Sequence, residues 1–446
     1  PVGGERIADQ FELLHEIVPR DFLKRVLYDI EERKFEGRNA KKRKKIFTNL
    51  LSLNLSRNNF GPKVMGSIMV SLGSPRCGII SLDVSDNPIG LSDQEIAGNA
   101  SEAALDIREG FLGNQSLTHF YANNTKFMYT DLVTIFGGLC HHMFLQTLCL
   151  RDVPMDEPAA LQLGNALQHV QTLTYLDIYN CHLGPNGGMI VATKLKAMFH
   201  KLLYMNLSGN YIGPVSAMYL SEGLRVTHPP CALRTMLLAN NDLLEEGGSY
   251  IAKALVGNIS ITDIDLSGNF LTHVTATHIA DAVRGLFKDG IKLRDSSFKR
   301  FRCNDNPQIG RRGSRHIVKA LANAMMEHVE LRNIGAGPGT GEAIAQYMRD
   351  PLVAWSFMDI SNNNLTRVGL NQIFWALRTN KRIRVIRVGE NRAGTIFCSD
   401  GDNLLQHGIA VPKCIIHNTY IRELDLSYNS LTSEAGMNIF DALLQN

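Results

Sequence analysis

Lys41, Lys42, Arg43, Lys44 and Lys45 stand side by side, with Arg33, Lys34 and Arg38 upstream. Such a run attracts nucleic acid, an acidic tubulin-like tail, an anionic membrane surface or a nuclear import receptor. No aromatic residue interrupts it, which disfavours single-strand and sequence-selective nucleic-acid binding. The plainer alternative is a solvated linker. Asn333–Glu342 (NIGAGPGTGE) is rich in glycine. It lacks the lysine of a phosphate loop and the spacing of a dinucleotide fingerprint, so it reads as a flexible turn. His141 and His142 have no third ligand at zinc spacing and read as a surface pair. Cys77, Cys140, Cys149, Cys181, Cys231, Cys303, Cys398 and Cys414 are scattered, with no CxxC, and suit a reducing compartment. Cys181 and Cys303 read as core residues, not nucleophiles. There is no GxSxG. The sequence points to no catalytic group, cofactor, metal or small-molecule substrate.

The elements that carry these residues come from a repeat. The segment Leu50–Phe60, LLSLNLSRNNF, fits LxxLxLxxNxL. The frame returns at Ile79, Leu117, Leu145, Leu173, Leu202, Leu233, Ile261, Phe298, Met326, Trp355, Ile383 and Ile421. Eight of the twelve intervals are 28 or 29 residues. Positions one, four and six are apolar and position five is mostly polar, the alternation of a short strand with one buried face. Position nine is Asn58, Asn87, Asn210, Asn241, Asn269, Asn306, Asn363, Asn391 or Asn429 in nine frames. A buried Asn must satisfy both its carbonyl and its NH2, which suits a ladder between stacked turns. Cys181 takes this slot in frame five; Thr125, Val153 and Ile334 mark weaker frames. Turns such as Gly61-Pro62, Gly184-Pro185 and Gly213-Pro214 lead into helical stretches, Ser216–Leu224 and Tyr250–Val256 among them. One strand and one helix cannot bury themselves alone, so neighbours must stack.

These motifs resemble the leucine-rich repeat family, specifically its ribonuclease-inhibitor-like class. The resemblance covers residues 50–446. It implies an α/β fold: a right-handed leucine-rich repeat solenoid (a horseshoe) of about 13 strand-turn-helix repeats, with a parallel concave sheet and convex helices. Residues 1–49 are set apart. Phe11, Leu13, Leu14, Ile17, Val18, Phe22, Leu23, Val26, Leu27 and Ile30 are spaced for one or two amphipathic helices. They fit a helical N-terminal cap joined by the basic linker, or a partner-docking helix. Three intervals are longer, with extra residues near Asn99–Glu109, Lys288–Ser297 and Phe397–Ala410. They read as surface loops or as partner contacts.

Positions three, five and seven line the expected concave face. Tyr121, Arg151, Tyr175, Tyr179 and Tyr204, with His119, form an aromatic stretch; Arg300, Arg302, Arg332 and Arg387 follow as a basic one. Tyr and Arg are enriched at binding hot spots. Asp at position five is common in this repeat and carries little functional information. The chain's charge is nearly balanced, +3 overall, so a general polyanion binder is excluded. No apolar run is long enough for a membrane-spanning helix. The reading is a non-catalytic, cytoplasmic interaction scaffold that binds one or more proteins along the concave face and insertions. The resemblance extends generically to ciliary and cytoskeletal leucine-rich scaffold subunits, which implies axonemal or cytoskeletal partners. Alternatives are a regulator of a small GTPase, like the Ran GTPase-activating proteins, and an enzyme-wrapping inhibitor.

Overall fold

The computed structural model describes residues 50–74, 77–90, 100–225, 230–288, 291–294, 297–393 and 410–446. The N-terminal cap and the basic run Lys41–Lys45 lie outside them. So do Cys398 and most of the third insertion. The chain divides into two compact units, Pro1–Asn210 and Tyr211–Asn446, built on one plan.

In the first unit, strands β1 Ser52–Asn54, β2 Ser81–Asp83, β3 His119–Tyr121, β4 Thr147–Cys149, β5 Tyr175–Asp177 and β6 Tyr204–Asn206 alternate with helices. The helices are α1 Pro62–Leu72, α2 Glu102–Gly113, α3 Tyr129–Leu139, α4 Glu157–His169 and α5 Gly184–Leu195. The strands pair in parallel and in chain order.

The second unit holds α6 Gly213–Arg225, β7 Thr235–Leu237, α7 Leu244–Ala254, β8 Asp263–Asp265 and α8 His273–Arg284. A short antiparallel hairpin, β9 Leu286–Lys288 and β10 Ile291–Arg294, follows where the second insertion falls. Then come β11 Arg300–Arg302, α9 Gly310–Ala322, β12 His328–Glu330, α10 Pro338–Met348, β13 Phe357–Asp359, α11 Thr366–Leu377, β14 Val385–Arg387, α12 Ala410–His417, β15 Glu423–Asp425 and α13 Ser433–Gln445. The hairpin stands outside the parallel sheet, in which β8 pairs directly with β11. In both units the architecture is the expected leucine-rich repeat solenoid.

Strand register places equivalent frame positions side by side, for example Leu148 beside Leu176 and Val329 beside Met358. Position four therefore points inward: Leu82, Leu176, Met205, Met236 and Val329 are all fully buried. Each buried residue adds about 1.5–3 kcal/mol of apolar transfer, and neighbouring repeats share it.

The asparagines bond between repeats. The Asn241 N–H donates to Asn269 Oδ1 (2.9 Å), and Asn269 Nδ2 donates back to the Leu238 carbonyl (2.8 Å). The Asn269 N–H in turn donates to Asn306 Oδ1 (3.0 Å). The same pattern joins Asn58 to Asn87, Cys181 to Asn210, and Asn363 to Asn391 and Asn429. Where Cys181 replaces Asn, its Sγ lies 3.0 Å from the Leu150 carbonyl. Thr125 donates from Oγ1 to the Ala122 carbonyl (2.9 Å).

A second regularity precedes each slot. Position eight has positive φ in every frame, including Asp86 (57°), Asn180 (52°), Gly268 (63°), Asn362 (52°) and Tyr428 (52°). Where neighbouring frames carry Asn and Asp here, their side chains bond, as Asn124 Nδ2 to Asp86 Oδ1 (3.1 Å) and Asn180 Nδ2 to Asp152 Oδ1 (2.7 Å) show.

The helices begin earlier than the sequence suggests. Pro62, Pro185 and Pro214 stand inside the first turns of α1, α5 and α6, not in the preceding turns. Proline lacks only an N–H that the first turn leaves unpaired anyway. The glycine run is likewise half helical, because α10 starts at Pro338. A Cβ on Gly341 would meet the Gly369 backbone at 2.7 Å, so this glycine permits close approach of α10 and α11.

Candidate functional site

Frame positions three, five and seven of each unit lie on the exposed strand face. The aspartates at position five are partly structural. Asp83, Asp177, Asp265, Asp359 and Asp425 each accept the backbone N–H two residues on, at 2.9–3.2 Å. This bond steadies the turn, as an Asx turn does.

In the first unit, register sets Tyr175 beside Tyr204. The rings stack with centroids 4.0 Å apart and planes 1° from parallel. Two turns converge beside them. The Arg151 guanidinium sits over the Tyr179 ring at 5.0 Å and 3.9 Å from Asp177 Oδ2. Burial raises the Tyr175 and Tyr204 phenols above the usual range, and the Asp177 charge adds to this. Burial also raises Asp177 itself, against the Tyr179 N–H and Arg151 that favour its charged form. Tyr121 is not in this group. It lies on β3, between Asp83 and Cys149 in register, and β4 separates it from the stack. His119 bonds its neighbour Thr118 (2.6 Å).

In the second unit the arginines do not form one free basic surface. Arg302 Nη2 lies 2.8 Å from Asp263 Oδ1, and its Nε 3.2 Å from Asp265 Oδ2. Arg387 donates from both Nε (2.9 Å) and Nη2 (2.8 Å) to Glu423 Oε1. Arg332 reaches Glu390 at 3.5 Å. Arg300 is exposed, without a carboxylate partner among the described residues. Positions three and five here carry six carboxylates, Asp263, Asp265, Glu330, Asp359, Glu423 and Asp425, against Arg300, Arg302 and Arg387. The face is thus acidic in balance, with its arginines mostly neutralised.

A cluster without a sequence signature lies between these ion pairs. His328 stacks on Phe357 (4.0 Å, 8°), and Arg387 sits over the same ring at 5.2 Å. His328 Nε2 is 2.6 Å from Glu330 Oε1, and Asn304 Nδ2 donates to Glu330 Oε2 (2.8 Å). Burial would raise the Glu330 carboxyl. The hydrogen bonds from His328 and Asn304, with the nearby charges, outweigh it and hold the group below its ordinary value.

The histidine doublet is not a surface pair. His141 is exposed, but His142 is 1% exposed and meets Phe111 and Phe144 edge-on at 5.9 and 6.2 Å. The helix end turns its ring inward, where Nε2 lies 3.5 Å from Asn114 Oδ1, and burial pushes its pKa down to about 4. Cys149, Cys181, Cys303 and Cys414 are buried, and burial drives each thiol up. Such thiols stay protonated and are poor nucleophiles. Among the described residues, no group of three or more His, Cys, Asp or Glu is placed to hold a metal ion. Nor is any helix there long and apolar enough to cross a membrane.

A "Leucine Rich repeat" family model matches residues 48–63, 169–192 and 417–440. The NACHT, LRR and PYD domains-containing protein 14 of Homo sapiens is 23% identical over 317 residues, which cover 69% of this chain and 26% of that protein. Protein 12 of the same series, also from Homo sapiens, is 21% identical over 384 residues, covering 85% and 31%. The ribonuclease inhibitor of Sus scrofa is 21% identical over 322 residues, covering 68% of each chain. This chain therefore spans less than a third of those two NACHT, LRR and PYD proteins.

Proposed function

We propose that this leucine-rich-repeat protein of the ribonuclease-inhibitor-like class is a non-catalytic scaffold that docks a protein partner on the strand face of its first unit. Leucine-rich-repeat proteins are generally interaction scaffolds, and that coarse reading stands on the fold itself. The observation that supports the finer one is the Tyr175–Tyr204 stack beside the Arg151–Tyr179 pair. Tyrosine offers large, rigid contact area at low entropic cost, and pre-stacked rings lose little freedom on binding. The mixed, internally paired charge beside them suits register and selectivity more than bulk attraction.

The proposed setting is a cytoplasmic subunit of a large assembly, with a ciliary or cytoskeletal one as its finer form. The relatives' names contain no ciliary or cytoskeletal term. The test is a tagged pull-down from source cells, after sequential detergent and high-salt extraction, read by crosslinking mass spectrometry. Recovery of filament subunits, lost with Tyr175→Ala and Tyr204→Ala, supports both readings. Recovery of a small GTPase alone defeats the structural-subunit reading.

A second reading is an enzyme-wrapping inhibitor. It is favoured by the pig ribonuclease inhibitor, which matches over two thirds of both chains. Titration against a pancreatic-type ribonuclease tests it; unchanged turnover at excess of this chain rejects ribonuclease as the target.

A further inference from the structure

The charge missing from the strand face reappears elsewhere in the second unit. The chain is net positive, yet the sheet there carries more carboxylates than arginines. Arg378, Lys381, Arg382 and Arg384 stand in the loop between α11 and β14, Arg422 immediately precedes β15, and Lys413 lies on α12. Asn418 Nδ2 donates to the Asn380 carbonyl (3.0 Å) and ties the two loops together. The Arg422 N–H donates to the Arg384 carbonyl (2.7 Å). Two aromatic rings hold three of these cations in place. Arg378 and Lys413 both sit over Trp375, at 4.9 and 5.6 Å, and Arg384 sits over Tyr420 at 5.0 Å.

None of these six cations has a carboxylate partner among the described residues, unlike Arg302 and Arg387 on the sheet. The adjoining loop contributes Asp350, whose Oδ1 is taken by the Leu352 N–H (2.9 Å). Lys381, Arg382 and Arg422 are exposed.

We propose that this edge of the second unit is a second docking surface, for an acidic segment of a partner protein. Clustered guanidinium forks match carboxylates bidentately. The cation-covered faces of Trp375 and Tyr420 leave poor platforms for nucleobase stacking. The site does not depend on the strand-face reading, so either can fail alone.

The test is fluorescence anisotropy of a fluorescein-labelled oligoglutamate peptide with the full chain. The background carries Lys41→Ala, Lys42→Ala, Arg43→Ala, Lys44→Ala and Lys45→Ala, which removes the other basic run. Adding Lys381→Glu, Arg382→Glu and Arg422→Glu is expected to weaken binding at least about tenfold. Circular dichroism should be unchanged, and a parallel Tyr175→Ala variant should bind as before. Lys381→Gln, Arg382→Gln and Arg422→Gln should give a smaller loss in the same direction. Peptide binding that survives the charge reversal overturns the proposal. So does failure to bind the peptide together with co-sedimentation on phosphatidylserine vesicles. Tighter, reversal-sensitive binding of a single-stranded RNA oligomer overturns it as well.

Discussion

The ring of Tyr175 lies flat on that of Tyr204, 4.0 Å away, because parallel register brings the same frame position of adjacent repeats side by side. Aromatic pairs contribute about 0.5–1.5 kcal/mol beyond their buried area. Tyr175→Ala and Tyr204→Ala should therefore be non-additive in urea unfolding, with a coupling of about 1 kcal/mol. Strict additivity would mean the rings are merely adjacent.

The asparagine ladder predicts a different cost. Asn269 Oδ1 accepts from the Asn241 and Leu243 N–H groups, and its Nδ2 donates to the Leu238 carbonyl. Asn269→Leu leaves these buried groups unpaired and should destabilise by about 1–3 kcal/mol in urea unfolding. Asn269→Ser, which cannot span the gap, should not rescue it.

The repeat was legible because one chemical need, pairing the backbone of a buried turn, recurs in every frame. The ion pairs were harder to read. Arg302 meets Asp263 and Asp265 across a 37-residue insertion-bearing interval, and only register makes them neighbours. His142 hides for another reason. Its polarity suggests surface, while Phe111, in the preceding repeat, supplies the ring that meets it edge-on. Position eight carries a plain signal: ten of its thirteen residues are Asn, Asp or Gly, the types that tolerate a left-handed backbone. The charges of the loop RTNKRIR were plain as well, but their lack of partners is a property of the packed repeats alone.

Arg302 gives a test of pairing. Its side chain is 22% exposed and shared between two aspartates. Arg302→Leu should cost about 2 kcal/mol by stranding them, whereas Arg300→Leu, on the exposed third position, should cost almost nothing. Burial already raises Asp265, opposed by Ser267 and Arg302, so the Arg302 variant should lose part of its deficit as acid protonates Asp265. Equal losses in the two variants, read by urea unfolding at neutral pH, would show that these ion pairs add nothing.

His142 sets an acid limit. Burial depresses its folded pKa to about 4, below an unfolded value of about 6.5. The unfolded chain then binds the extra proton, so stability rises with pH across this interval. The contribution is complete above about pH 6.5 and is lost as pH falls towards 4, amounting to about 3 kcal/mol. His142→Phe should flatten that part of the stability profile in urea unfolding at stepped pH. An unaltered slope would assign the acid sensitivity to other groups.

Tyr428 offers a gain in stability. It holds φ at 52° at position eight, where most other frames have Asn, Asp or Gly, and its side chain is largely exposed. A side chain with a Cβ pays about 1–2 kcal/mol in this region, and Asn recovers part of it through local hydrogen bonding. Little packing is lost with the exposed ring. Tyr428→Asn should therefore stabilise the last repeat by about 0.5–1 kcal/mol. Hydrogen exchange localises the effect: slowing should concentrate in β15 and α13, since stability in repeat arrays is nearest-neighbour. Faster exchange there would mean that the ring makes contacts worth more than the strain it imposes.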